Sequence, residues 1–164
     1  MRKKAKKPRV VIGGDHASTE AKPAVIAYLQ SEGYSVTDVG TDNPSSCDYP
    51  VFAHRLCEEI REGRAELGIL ICGTGIGMSI AANKHRGIRA ALCCDAFSTE
   101  MSRLHNAANV ACFGARVLDT ETICRLCDLF LSTSPLDEER HIRRRNELDE
   151  IENGTFDPDG KNNE

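Results

Sequence analysis

The densest chemical signal in the sequence is a glycine-rich loop that begins at a cysteine, Cys72-Gly73-Thr74-Gly75-Ile76-Gly77. Alternating glycines let backbone N–H groups turn inward and approach an anion closely. The loop follows an apolar run and precedes a helical pattern, so the positive end of a helix dipole would add to its attraction for an anion. We therefore expect the loop to hold a phosphate or an oxyanion formed during a reaction. The alternative is a tight strand-to-helix turn without a ligand.

Three kinds of chemistry fit this loop unequally. Dinucleotide binding needs G-x-G-x-x-G after a first strand, but the third glycine comes one residue early and the loop follows the third predicted strand. A cysteine phosphatase needs an arginine six residues after the cysteine, where Met78 stands. In the third chemistry, Cys72 is a general base and the loop amides stabilise an enediolate. For Cys72 considered alone, a buried structural thiol is the competing interpretation.

The elements that must position this loop are predicted by apolar runs alternating with helical patterns from residue 9 to residue 152. The alternation predicts a three-layer α/β/α sandwich around a doubly wound, five-stranded parallel sheet, which is a Rossmann-like fold. Strands are predicted at 9–13, 35–39, 67–72, 88–94 and 109–113. Helices are predicted at 18–32, 50–62, 77–84, 96–105, 119–131 and 136–152. We expect disordered tails at 1–8, which is basic, and at 153–164.

Composition excludes several partners. The net charge of −4 and an aromatic content of 5% without Trp argue against nucleic-acid binding. No apolar run approaches the ~18 residues that a membrane span needs. Several of the eight cysteines lie in apolar runs, so we interpret them as reduced thiols of a cytoplasmic protein. Cys124-x-x-Cys127 is half of a zinc motif without a second pair, and no metal is expected.

Residues 72–84 resemble the signature of the type B ribose-5-phosphate isomerase family, which includes the subunits of galactose-6-phosphate isomerase. Other segments match that family in the same order along the chain. They are Gly14-Asp15-His16, Asp48-Tyr49-Pro50, Gly87-Ile88-Arg89-Ala90, Ser102-Arg103-Leu104-His105-Asn106, Gly114-x-Arg116 and Arg140-His141-x3-Arg144. The resemblance covers roughly residues 9–152, and so many spaced motifs are far more specific than the glycine loop alone.

The resemblance implies a doubly wound fold and the aldose–ketose isomerisation of a sugar phosphate through an enediolate, without a metal or an organic cofactor. Cys72 resembles the base that shuttles a proton between carbons 1 and 2. Some members use a Glu at the position of Met78, so this chain resembles the cysteine type. The amides of Gly73 to Gly77 would form the anion hole, and Thr74 would assist proton movement between the sugar oxygens.

The resemblance also implies the residues that bind the sugar. Asp15 and His105 resemble the pair that opens the furanose ring, Asn106 would bind a hydroxyl, and Tyr49 would line the site. The phosphate ligands would be His16, Arg116, Arg140 and Arg144. Arg140 and Arg144 also stand one helical turn apart on one face, as a pair that grips a phosphate would.

A homodimer with shared active sites is the assembly that the resemblance implies. His105, Asn106 and Arg116 would come from the partner chain, and whether dimers pair into tetramers stays open. The substrate expected is ribose 5-phosphate, in exchange with ribulose 5-phosphate. Rivals are a six-carbon sugar phosphate such as allose or galactose 6-phosphate, since one extra carbon is a subtle steric difference, and a non-catalytic sugar-phosphate or nucleotide binding module. The titratable Cys72, Asp15 and His105 argue against the binding module.

Overall fold

The computed structural model of the chain describes residues 7–159. They form a five-stranded parallel sheet with helices on both faces, which confirms the fold class predicted from the sequence. The strands are β1 Arg9–Gly14, β2 Ser35–Asp38, β3 Leu67–Cys72, β4 Ala90–Leu92 and β5 Val110–Gly114. The α-helices are α1 Ala21–Ser31, α2 Tyr49–Arg61, α3 Ile76–Ala82, α4 Ala96–Leu104, α5 Thr120–Ser132 and α6 Glu139–Asn153.

The strand order β2-β1-β3-β5-β4 brings the ends of β1 and β3 side by side. Gly14 pairs with Ile71, and Cys72 pairs with Gly114 of β5. The chain winds outward from β1 to β2 and then crosses to the other side, so the switch in winding direction lies between β1 and β3. Open α/β sheets bind ligands at this point. The glycine loop and Asp15-His16 both follow strands that end there.

Two apolar layers cover the sheet because successive side chains of a strand point to opposite faces. Val10 and Ile12 pack in the layer that contains α1 and α5. Val11 and Cys72 pack in the layer that contains α2 and α3. Every residue of β3 is buried, which explains why its sequence is a continuous apolar run rather than an alternating one.

Most observed element ends differ from the predicted ones by one or two residues, and α1, β4 and α6 show the clearest differences. Helix α1 begins at Ala21, because the Asp15 carboxylate accepts the Ala17 N–H and starts a 3-10 turn at His16–Ser18 instead. Strand β4 is shorter than predicted, and α6 begins at Glu139 rather than 136. The Leu136 N–H bonds to the carbonyl of Leu104, outside the helix. Of the two tails expected to be disordered, residues 1–6 and 160–164 lie outside the described residues.

All eight cysteines are unpaired. Burial raises the pKa of Cys57 to about 12 and that of Cys93 to about 11, and it raises those of Cys112 and Cys127 as well. Between residues 7 and 159, no group of three or more His, Cys, Asp or Glu side chains is placed to hold a metal ion. The helices in that range are all too short or too polar to cross a membrane.

Candidate active site

The glycine loop connects β3 to α3 at the carboxyl edge of the sheet. The Gly75 N–H donates a hydrogen bond to Sγ of Cys72 over 3.1 Å. Gly75 has a φ of 78°, in the left-handed region, and a Cβ there would lie 2.6 Å from Cδ1 of Leu92. A Cβ on Gly114 would lie 2.8 Å from the backbone of Thr74. The loop and the end of β5 therefore touch backbone to backbone, which only glycine permits.

Cys72 is nearly covered and keeps 5% of its surface exposed. Thr74, two residues on, is exposed, and its hydroxyl oxygen is 3.4 Å from the Ile76 nitrogen. Met78 on α3 is fully buried and its thioether does not titrate, so it does not compete for the role of base. The sulfur thus lies at the inner end of the loop, with the hydroxyl at the outer end.

Two side chains flank the loop. A Cβ on Gly73 would lie 3.4 Å from the Arg116 guanidinium, and the Arg116 N–H donates to the Gly73 carbonyl over 3.0 Å. A Cβ on Gly77 would lie 2.7 Å from Cζ of Tyr49, so the tyrosine ring covers that glycine. The resemblance gave Arg116 to the partner's site, whereas the structure brings it to the loop of its own chain. The short β5-to-α5 turn that follows Gly114 is the reason.

Asp15 and His16 follow β1, next to the glycine loop. Asp15 is 5% exposed, and its N–H donates to the Ile71 carbonyl over 3.3 Å. The Cys47 N–H donates to Nδ1 of His16 over 3.3 Å, and the Cys47 sulfur is 3.7 Å from the same nitrogen. With Nδ1 acting as acceptor, Nε2 carries the ring proton and is a hydrogen-bond donor. Sequence reasoning did not identify Cys47 as the residue that orients His16.

The other predicted residues form a second group at the opposite edge of the sheet. Helix α4 starts beyond β4 and runs back to the beginning of β5, so His105 and Asn106 lie at the amino edge. Helix α6 begins there too, because Leu136 bonds to the end of α4. It carries Arg140 and Arg144. Strands of five or six residues separate the two groups by roughly 15 Å or more.

His141 lies at the centre of this second group, although the sequence analysis assigned it no role in the site. Its ring stacks on that of His105 with centroids 4.3 Å apart. Its Nε2 is buried without a hydrogen-bond partner among the described residues, and Oε2 of Glu138 is 3.8 Å away. Burial lowers the pKa of His141, and the neighbouring His105, Arg140 and Arg144 lower it further, whereas Glu138 raises it. Its position beside Arg140 was the one signal in the sequence.

The two arginines of α6 differ in their partners. Both side chains are exposed, and Arg140 donates from Nε to Glu138 over 2.9 Å. A cavity of about 440 Å³ opens nearby and is lined in part by Asn106, Arg89 and Leu148. Cys72 does not line it. The cavity in a single chain is therefore not the place where Cys72 would meet a ligand.

Residues 10–148 match the model of a family described as ribose/galactose isomerase. The chain belongs to that family. It is 38% identical to ribose-5-phosphate isomerase B of Escherichia coli over 144 residues, which cover 88% of this chain and 96% of that protein. It is 45% identical to D-erythrulose-4-phosphate isomerase of Pectobacterium atrosepticum over 116 residues, or 68% of this chain and 74% of that protein.

Among solved structures, the ribose/galactose isomerase fold of this chain is similar to that of type B ribose 5-phosphate isomerase from Leishmania infantum. The TM-score is 0.88 at 42% sequence identity, covering 92% of this chain and all of that chain. The family membership inferred from the spaced motifs is confirmed, and so is the expectation that the chain is an enzyme, an isomerase. The roles of individual residues stay predictions.

Proposed function

We propose that the domain of residues 9–152 interconverts ribose 5-phosphate and ribulose 5-phosphate through an enediolate, with Cys72 as the base. The observation that carries the proposal is the Cys72 sulfur, which accepts the Gly75 N–H over 3.1 Å at the carboxyl end of β3. Amides around a sulfur stabilise its anionic form in general. The match to isomerases that act on phosphorylated sugars along most of the chain supports the substrate class.

The chemistry requires one proton to move between adjacent carbons. The Cys72 thiolate removes the proton from carbon 2 of the open-chain aldose and returns it to carbon 1. Charge that develops on the sugar oxygens faces the N–H groups of residues 73–77, which stabilise it only as it appears. The Thr74 hydroxyl relays the proton between the two oxygens. No step needs a metal ion or an organic cofactor.

We propose that two chains share each site. Within one chain, Cys72 and His105 lie at opposite edges of the sheet. A second copy related by two-fold symmetry would bring the amino edge of one chain to the carboxyl edge of the other. One chain would then supply Cys72, Asp15, His16, Tyr49 and Arg116. The partner would supply His105, Asn106, Arg140 and Arg144.

This division is consistent with the position of the cavity and with the charge of the substrate. A site that is completed by a partner is not enclosed in a single chain, so the separate cavity beside Asn106 does not compete with it. The phosphate would meet His16 and Arg116 from one side and the two arginines of α6 from the other. A phosphate dianion is held well by several guanidinium donors. Such dimers are the smallest active unit, whether or not they pair further. The unpaired thiols fit a reducing compartment, the cytosol.

The length of the sugar is the second question for this site. The relatives act, by name, on a four-carbon and a five-carbon phosphate, and the family description includes galactose. We therefore propose a direct comparison of ribose 5-phosphate, D-erythrulose 4-phosphate, allose 6-phosphate and galactose 6-phosphate on the purified protein. The highest kcat/KM should be for ribose 5-phosphate. A higher value for a six-carbon substrate would reassign the enzyme.

Replacement of the base tests the mechanism. Cys72→Ser should reduce kcat at least about 100-fold, because a hydroxyl does not ionise near neutral pH. Cys94→Ser changes an exposed thiol beyond β4 and should leave kcat unchanged. Circular dichroism should be the same for both variants. Near-normal turnover of Cys72→Ser would exclude Cys72 as the base. If wild type isomerised none of the sugar phosphates, a non-catalytic binding module would be favoured instead.

A further inference from the structure

Lys22 on α1 is a fully covered charged residue that the proposed reaction does not use. Its side chain is 0% exposed, and its ammonium bonds to Asp38 and, over 2.8 Å, to Asp42. Burial by itself would lower the pKa of Lys22, but the bonds to the two carboxylates outweigh it and raise that pKa. A buried ion pair adds little stability over a well-packed apolar side chain. The two ion pairs of Lys22 therefore matter more for the local geometry of the chain than for its stability.

The ion pairs act at the start of segment 38–48, which connects β2 to α2. A Cβ on Gly40 would lie 2.6 Å from the Gly14 nitrogen and 3.0 Å from Cδ of Lys22. The Thr41 N–H donates to the Gly14 carbonyl over 3.0 Å. Lys22 thus holds the segment against the residue that immediately precedes Asp15 and His16.

Short-range bonds stiffen the segment beyond that point. In each, a side-chain oxygen accepts the N–H two residues ahead. The pairs are Asp38 with Gly40 at 2.8 Å, Thr41 with Asn43 at 3.1 Å, and Asn43 with Ser45 at 2.9 Å. Near the far end of the segment is Cys47, whose N–H donates to Nδ1 of His16 over 3.3 Å. A displacement at Lys22 would therefore be carried to the imidazole.

We infer that Lys22 is a positioning residue for phosphate binding, because it fixes segment 38–48 and thereby keeps the Cys47 amide on His16. This contact selects the His16 tautomer that presents an N–H donor at Nε2. The role in phosphate binding rests on the proposed function, whereas the effect on the tautomer does not.

The test measures the tautomer and the kinetics of the full chain separately. Imidazole nitrogen resonances report which ring nitrogen of His16 is protonated, at a pH where the ring is neutral. Lys22→Met removes the ammonium and keeps an unbranched side chain that is only one atom shorter. Asp42→Ala removes one carboxylate whose side chain is 85% exposed, so it spares the packing. Glu66→Gln weakens the Arg9–Glu66 pair at the other end of β1 and is the matched control.

Wild type and Glu66→Gln should show one His16 tautomer, protonated at Nε2. Lys22→Met should show both tautomers and a KM for ribose 5-phosphate raised about tenfold, with a smaller change in kcat. Asp42→Ala should change both in the same direction. An unchanged His16 tautomer in folded Lys22→Met would overturn the inference, and if that variant does not fold, an unchanged tautomer in Asp42→Ala does so. If wild type had no isomerase activity, the proposed function would be wrong. The tautomer measurement would still decide whether Lys22 positions His16.

Discussion

The imidazole of His105 lies face to face with that of His141, with centroids 4.3 Å apart and planes inclined by 8°. The two residues come from the end of α4 and the start of α6, 36 positions apart in the sequence. The stack holds the His105 ring in one plane, next to Asn106. A histidine that exchanges protons with a sugar oxygen would need such a fixed orientation.

The buried His141 predicts an acid-sensitive fold. Its lowered pKa means that the unfolded chain binds this proton at a higher pH than the folded chain does. Its stabilising contribution is complete above about pH 6.5, the ordinary imidazole value, and is lost as the pH falls toward the lowered pKa. We expect Tm to fall over that window, and less steeply in His141→Asn. Scanning calorimetry measures both slopes.

The control for that comparison is Ile142→Asn, which introduces the same residue at an exposed position one step along α6. It should keep the wild-type slope of Tm against pH. If His141→Asn loses as much stability in acid as wild type does, another group causes the transition.

Mixing inactive variants tests the shared site. Cys72→Ser and His105→Ala homodimers should each be inactive. After subunits exchange, half of the dimers carry both variants and one intact site each, so activity should return to about a quarter of the wild-type value. Steady-state assays before and after exchange measure the gain.

The control mixture is Cys72→Ser with Arg116→Ala. Both residues contact the same glycine loop of one chain, so each site of a mixed dimer keeps one defect. In this mixture no site has both Cys72 and Arg116 intact, so no gain in activity is expected. No recovery in the first mixture, despite proven exchange, would mean that Cys72 and His105 do not act in one shared site.

Arg144 should bind the phosphate. Arg144→Ala should raise KM for ribose 5-phosphate about ten- to 100-fold, since a charge-assisted hydrogen bond is lost, with a smaller change in kcat. Arg143→Ala is the matched control, because Arg143 is exposed and lies 3.7 Å from Glu147 on the same helix. Equal effects of the two substitutions on KM would indicate a general effect of charge.

Ala107 stores strain in the turn after Asn106. Its φ is 48°, and the Ala107 N–H bonds to the Arg103 carbonyl at the end of α4. Glycine adopts this conformation without the steric cost that alanine bears. Ala107→Gly should raise Tm by about 2–4 °C, whereas Ala108→Gly, at a buried neighbour, should lower it. Thermal unfolding followed by circular dichroism checks both, and a lower Tm for Ala107→Gly would contradict the strain.

Features that depend on residues close together in the sequence could be predicted from it. The apolar run of β3 and the glycines after Cys72 place that residue at a strand end, and the rule for open sheets brings Asp15 beside it. Because β3 is buried on both faces, its sequence is a continuous apolar run. This run identifies the strand without any knowledge of the neighbouring elements.

Features that depend on contacts distant in sequence were not predictable in the same way. Arg116 reaches its own loop because the backbones of Gly114 and Thr74 touch. The stacking of His141 depends on how α6 packs against α4. Lys22 has the residue type that is most often exposed, and only its two carboxylate partners explain its burial.

The buried thiols can report local unfolding of the protein, because they react only when they become accessible. Cys57 lies on the buried face of α2 and Cys127 on the buried face of α5, on opposite sides of the sheet. Both are fully buried, and their raised pKa keeps them protonated near neutral pH. An alkylating reagent would therefore reach each one only when its own layer separates. Mass spectrometry of the two labelled peptides over time would reveal which half of the molecule comes apart first.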